Sequence, residues 1–481
     1  MKGTSANDNH FMMKRIGLFF IFISLVSCTG KVSSSDHDSV AGVEAWITDP
    51  GASVLFKKMN DAVKVAKTSD TIKNINIDDG KVYQSIDGFG YCLTGGSAFH
   101  LHNMDNASRT ALLKELFATD SVNIGVSYLR LSIGASDLDA QVFSYDDLPA
   151  GETDTLMEKF SIVPDKKFLI PVLKEILAIN PKIKILGSPW SPPAWMKTNG
   201  SSKGGSLKTT CYRAYALYFV KYIEAMRTEG ISIDAITIQN EPLHPGNNPS
   251  LLMLPEEQRD FIRQSLGPVF KSHGIATKII VYDHNADRPD YPLTIFRDSD
   301  AARYVDGSAF HLYAGSIDTL SYVHEAFPDK NLYFTEQWVG APGRLSENLP
   351  WHIKNVIIGS MRNWCRVALE WNLAADSRLE PHTPGGCTEC VGAVTIDVNS
   401  VKRNPAYYII AHASKFVRPG AVRIASNDIN GLPNVAFKNT DGKKALIVLN
   451  ESDHDQTFSV SDKGGLFNSM LAGGAVGTYV W

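Results

Sequence analysis

An excess of either charge is what this 481-residue chain lacks first: 47 Lys and Arg stand against 51 Asp and Glu, with both signs scattered. No basic stripe is available to follow a phosphate backbone or an anionic lipid surface, so nucleic acid is not an expected partner. Recognisable cofactor motifs are missing too. No Gly-rich phosphate loop follows the first strand pattern and no His-Glu-x-x-His helix occurs, and "HLH" at 100–102 lacks a third placed ligand. Neither a nucleotide, a metal nor any other cofactor is therefore implied. Internal repeats and long low-complexity segments are absent. What remains is a chain that is 44% hydrophobic, enough at this length to bury a large core and form one big domain with a smaller companion. Eight Trp and seventeen Tyr supply that core, or flat faces for the C–H surfaces of sugars.

The N-terminus reads as an address. From Met13 the chain runs "MKRIGLFFIFISLVSC", in which a positive start precedes an apolar stretch of roughly ten residues, too short to span a bilayer. Residues 1–28 are expected to be a signal peptide. Its end, Leu25-Val26-Ser27-Cys28, resembles the bacterial lipobox, in which the Cys becomes the lipidated first residue; a plain secretory signal is the alternative. Residues 29–45, small and polar at first, are expected to be a flexible tether. An exported lipoprotein, periplasmic or on the cell surface and touching membrane only through its lipid, follows from that reading. Without Cys28 five cysteines remain, so at least one thiol stays free. Cys387 and Cys390 in "GGCTEC" make either a loop disulfide or two neighbouring thiols.

Along the body, near-continuous apolar runs alternate with amphipathic stretches. The runs "NIGVSYLRL" (123–131), "KIKILGSPW" (182–190), "DAITIQNEP" (234–242), "KIIVYDH" (278–284), "GSAFHLY" (307–313), "NLYFTEQW" (331–338) and "VALEWNL" (367–373) predict buried parallel strands. Helical patterns at 166–180, 211–230 and 256–274 separate them. Polar and aromatic groups cluster at the C-terminal ends of these strands, which suits a barrel mouth better than an open sheet. The expected fold is α/β, a (β/α)8 TIM barrel over 87–400. From 401 to 481 short alternating strands predict a β-sandwich, to which 71–86 adds strands from the other chain end.

Two of the runs end in glutamate: Glu241 in "QNEP" and Glu336 in "YFTEQW". Each alone could be a surface acid or half of a salt bridge. Two carboxyls held on rigid strands at one mouth can divide labour, one protonating a glycosidic oxygen while the other attacks or activates water.

These residues, together with "GSPWSPPAWMKTNG" (187–200), "HLY" (311–313) and "EWNLA" (370–374), resemble glycoside hydrolase family 30, the glucosylceramidase-like group, over roughly 84–415. The resemblance implies a retaining β-glycosidase with Glu241 as acid/base after the fourth strand and Glu336 as nucleophile after the seventh. It places Asn240 on the sugar 2-hydroxyl, Arg130 beside the nucleophile, His311 and Tyr313 around the carboxylates, and Trp190 and Trp371 as walls of the sugar subsite. Core packing or a plain ion pair is the alternative for each of these. Two departures stand out. Gly95 occupies the place of an Asp that grips glucose, and Thr388 falls where the family has an Asn. The glucose clamp is thus expected to be missing, which weighs against glucosylceramide, and the exported, lipid-tethered reading favours an oligo- or polysaccharide, above all β-1,6-glucan, with a β-xyloside, β-fucoside or β-galactan as other options. A glucosylceramidase and a non-catalytic glycan-binding lipoprotein are the alternatives, and a monomer is expected.

Overall fold

The computed structural model describes residues 42–65, 73–463 and 465–481. The expected signal peptide, its Cys28 and most of the tether lie outside them. Eight parallel strands close into a barrel: Gly88–Cys92, Tyr128–Ser132, Lys184–Ser188, Ala235–Thr237, Lys278–Asn285, Val305–His311, Asn331–Glu336 and Cys365–Asn372. Seven overlap the apolar runs, with ends shifted by a few residues, and the eighth is the "GFGYC" segment. Helices between them include Leu169–Ile179 and Tyr212–Thr228, and the pattern at 256–274 forms Pro255–Phe261 and Gly267–Ser272 joined by a wide turn.

Strand alternation explains why the barrel is greasy below and polar above. Inward-pointing Tyr128, Leu186, Ala235, Ile280, Ala309, Tyr333, Val367 and Leu369 form one apolar plug. Two residues further along, the same faces carry Arg130, Ser188, Thr237, His311, Thr335 and Trp371, because side chains repeat with period two. The plug thus isolates a polar layer at the C-terminal mouth. Close strand approach demands glycine at position 307, where a Cβ would lie 1.9 Å from the Asn331 carbonyl oxygen.

The second domain is a ten-stranded sheet that folds over its own core. In order across the sheet its strands are Val54–Lys58, Glu44–Asp49, Val476–Val480, Lys444–Leu449, Asn434–Lys438, Val422–Ser426, Lys73–Ser85, Gln456–Asp462, Gly465–Leu471 and Val63–Val65. Leu446 and Val448 face the sandwich core while Ala445, Ile447 and Leu449 face the barrel, again with period two. The strand Lys73–Ser85 joins this sheet as expected. Three details differ from the sequence reading. Strand Glu44–Asp49 starts within the stretch drawn as tether, and the polar texture upstream hid it along with Val54–Lys58 and Val63–Val65. Residues 401–417 hold no sandwich strand: Ser400–Arg403 pairs with Val394–Asp397, and Pro405–Ser414 is a buried helix packed on the barrel. The junction therefore lies after that helix and not at 401, since near-continuous burial there left no alternation to separate helix from strand.

Candidate active site

Arg130, at the centre of the second strand and fully buried, organises the mouth. One of its nitrogens meets the Glu336 carboxylate. The other donates to Asn240 Oδ1 at 2.7 Å, to Asp283 Oδ2 at 2.7 Å and to Ser188 Oγ at 3.2 Å. Above the guanidinium lie Trp190 and Trp371, their rings 5.3 Å apart, with the Arg130 cation 4.9 Å from the Trp190 ring centre. A guanidinium held on aromatic faces and charged partners keeps its fork in one orientation.

Glu336 ends the seventh strand, and its second oxygen accepts from the Tyr313 hydroxyl at 3.0 Å. Glu241 follows the short fourth strand in the left-handed region, φ 46°, pinned by its N–H to the Asp283 carbonyl at 3.0 Å. A non-glycine residue there carries strain that the surrounding contacts must hold in place. The oxygens of Glu241 and Glu336 and a ring nitrogen of His311 lie within 4.8 Å of one another. These donors are close enough for a cation, yet both Glu336 oxygens already accept from Arg130 and Tyr313, and the guanidinium beside them opposes a second positive charge. The trio reads as a proton-handling site.

His311 is fully buried between carboxylates, its Nδ1 3.2 Å from Glu241 and its Nε2 3.2 Å from Asp283. Burial alone would lower its pKa. The charge of Glu336 and the hydrogen bonds to Asp283 and Glu241 outweigh burial and raise it to about 9. For Glu241 burial acts upward, but the hydrogen bond from His311 and the charge of that ring leave it below the ordinary carboxylate range. Burial pushes Glu336 upward, reinforced by Glu241 and Asp283 and opposed by His311 and Arg130. Asp283 is held far below the usual range: Arg130, His311 and Thr335 overcome its burial.

All eight residues read from the sequence thus meet at one mouth: Trp190, Asn240, Glu241, Tyr313, Glu336 and Trp371 line a cavity of about 490 Å³, with Arg130 and His311 directly beneath its carboxylates. Cys387 and Cys390 also line it, joined as a disulfide, which settles the alternative left open above. Exposed Thr388 does not.

Two acids were given no role by the sequence reading. Asp283 accepts from Arg130, Ser188, Thr237 and Thr335 and faces His311. The signal for it was a charge inside the apolar run "KIIVYDH". Asp137, in the loop after the second strand, lines the cavity with one buried oxygen unpartnered. Burial first, then the charge of Glu336, raises it to about 7. A side chain at Gly95 would collide with Asp139, its Cβ falling 1.6 Å from a carboxylate oxygen, and the carboxyl offered to the cavity comes from Asp137. A second cavity, about 460 Å³, lies at the opposite end of the barrel, where Lys184 is paired with Asp87 and Lys278 with Asp306.

Comparison with known proteins agrees with this geometry. Residues 86–417 match the glycosyl hydrolase family 30 TIM-barrel domain and residues 420–479 the glycosyl hydrolase family 30 beta sandwich domain. An endo-1,6-beta-D-glucanase of Neurospora crassa is 35% identical over 418 residues, covering 82% of this chain and 85% of that protein. The lysosomal acid glucosylceramidase of Mus musculus is 28% identical over 434 residues, covering 85% and 83%. Among solved structures, the endo-beta1,6-glucanase BT3312 superposes with a TM-score of 0.85 at 38% identity, covering 91% of this chain and 99% of that one. With both domain types in place and two carboxyls facing each other across a sugar-sized mouth, the chain belongs to glycosyl hydrolase family 30 and is a glycoside hydrolase.

Proposed function

We propose that the protein is a retaining endo-β-1,6-glucanase in which Glu336 attacks the anomeric carbon and Glu241 serves first as acid and then as base. The observation that carries the mechanism is the carboxylate separation. An oxygen of Glu241 lies within 4.8 Å of one of Glu336, which suits the carboxyl spacing of about 5–5.5 Å in retaining enzymes and not the about 6.5–9.5 Å that inverting enzymes use. Arg130 and Tyr313 donate to both Glu336 oxygens and so favour its ionised, nucleophilic form. Asn240 accepts from Arg130 through its oxygen, leaving its amide nitrogen for a sugar hydroxyl. Trp190 and Trp371 supply flat apolar walls, and Asp137 a carboxyl for hydroxyls at the cavity floor.

The linkage rests on similarity: relatives that align with 82–92% of this chain at 32–35% identity are endo-1,6-beta-D-glucanases. Glucosylceramidases are also relatives, at 28–30%. Product analysis of the purified protein from Thr29 onward, on β-1,6-glucan, xylan, galactan and glucosylceramide, tests the reading. A ladder of oligosaccharides from β-1,6-glucan is expected. Glucose released only from glucosylceramide would replace the substrate assignment, and binding without turnover would replace the enzyme by a binder.

The proposal extends to location, on the strength of Met13–Cys28 in the sequence: an exported, monomeric lipoprotein held by a lipid on Cys28. Labelled fatty acid incorporated by the wild type and lost in Cys28→Ala is the expected result.

A further inference from the structure

We propose that His311, backed by Asp283, is the store of the proton that Glu241 delivers, so that the acid/base works as a Glu241–His311–Asp283 relay. The inference rests on the reading of Glu241 as acid/base and assigns the resting place of its proton.

Hydrogen-bond accounting leads there. Both ring nitrogens of His311 face carboxylate oxygens at 3.2 Å. A neutral imidazole has one N–H, and a bare nitrogen facing a bare carboxylate is repulsive, so the resting site holds a proton between them and the glycosyl-enzyme, having given it up, is poised to take one back. Asp283 cannot take up the difference, because Oδ2 accepts from Arg130, Ser188 and Thr237 and Oδ1 from Thr335 as well as His311. Nε2 must therefore donate to Asp283 throughout. The one mobile proton sits on the line from Nδ1 to Glu241, either as imidazolium and carboxylate or as imidazole and carboxylic acid. Each surrounding element contributes a charge or ring to the choice. Glu336 on the seventh strand lies 3.7 Å from Nδ1, Arg130 on the second acts through Asp283 and Glu336, and the His284 and Tyr313 rings flank the imidazole with centres 6.4 and 6.0 Å away. His284 stays neutral, burial lowering it to about 4.

The chemistry balances. In the first step the bond from C1 to the leaving oxygen breaks and one from C1 to Glu336 forms. The leaving oxygen takes a proton from Glu241, which draws it from Nδ1. Glu336 is now an ester without charge, so the support that kept imidazolium stable is gone. In the second step a water oxygen bonds to C1 and the ester bond breaks. The water's proton passes to Glu241 and back to Nδ1 as Glu336 regains its charge. The relay thus explains why Glu241 rests below the ordinary carboxylate range although it must act as an acid.

Nitrogen-15 NMR of histidine-labelled intact enzyme tests this directly. The His311 signal is assigned by its loss in His311→Asn or, should that variant not fold, by its response to Glu241→Gln. The free enzyme should show both nitrogens protonated at pH 8, and trapping Glu336 with a 2-deoxy-2-fluoroglucosyl probe should return the ring to neutral. A neutral ring in the free enzyme, or an imidazolium in both states, overturns the relay. Kinetically, His311→Asn should lose about 10²-fold on glucan but under tenfold on an activated aryl glucoside, with the basic limb of kcat/KM moved to lower pH. Equal losses on both substrates with an unmoved limb would mark a purely structural histidine. Glu241→Ala on the same pair of substrates separates the two claims: if it loses equally on both, the acid/base assignment itself falls.

Discussion

At the residue scale, the two glutamates owe their roles to what surrounds them. Under the proposed mechanism Glu336→Ala removes the group that forms the ester and should abolish turnover while glycan binding, read by calorimetry, survives. Glu241→Ala should lose about 10²–10⁴-fold on glucan, yet form the glycosyl-enzyme at near-normal rate from a substrate whose leaving group needs no proton. A burst of aryl alcohol in stopped flow checks this. Asp283→Ala strips a buried cation of a partner and should cost about 3–5 kcal/mol in denaturant unfolding. Both glutamates were legible because each closes an apolar run with a charge. Asp283 and Asp137 were not, since their importance lies in partners drawn from five other strands or in a loop whose path no local pattern reveals.

The wall of the sugar site is a property of an element, the loop that follows the eighth barrel strand. Its disulfide packs with Cys92, Leu138, Trp190 and Trp371, and the Cys387 N–H donates to Asp137 at 3.3 Å. Thr383 and Pro384 tie the same loop to Asn248. Reducing the bridge, or Cys387→Ser with Cys390→Ser, frees that wall while leaving both glutamates on their rigid strands. KM for glucan should rise about five- to tenfold, roughly 1 kcal/mol, with kcat little changed. A fall in kcat at constant KM would show that the loop positions reacting groups instead. The two cysteines were visible in the sequence, but whether they bond depends on the loop bringing their Cα atoms to 5.8 Å, which spacing alone does not fix.

Across the whole molecule, barrel and sandwich are joined by buried polar pins. His412, on the helix Pro405–Ser414, is fully buried with its ring nitrogens 2.9 Å from Thr478 Oγ1 and 2.8 Å from Thr48 Oγ1, on two sandwich strands. Burial lowers it to about 3, so between about 6.5 and 3 the unfolded chain binds a proton that the folded one refuses. Stability contributed by neutral His412 is complete above pH 6.5 and lost as pH falls through that window. Tm should therefore drop on acidification, and His412→Gln should flatten part of the drop at the cost of a lower Tm at pH 7. An unchanged acid limb would mean that other groups, such as His284, carry it. Because Glu44–Asp49 pairs with Val476–Val480, deleting either end should unseal the sandwich and yield insoluble protein.

The sequence by itself determined the alternation of apolar runs and helices, hence the barrel, and the residue types at its mouth, hence a carbohydrate-cleaving pair. Local periodicity and strand-end chemistry carry that information within a few residues of each site. Tertiary structure alone decided that Asp137 and not position 95 offers its carboxyl to the cavity, that Asp283 anchors both Arg130 and His311, that Cys387 and Cys390 are bonded, and that the domain junction falls after helix Pro405–Ser414. All but the disulfide, whose cysteines are three residues apart, depend on distances between segments remote in the chain. Such distances are set by how the strands close into a cylinder and by which side chains exclude one another there, as Asp139 excludes any side chain at Gly95.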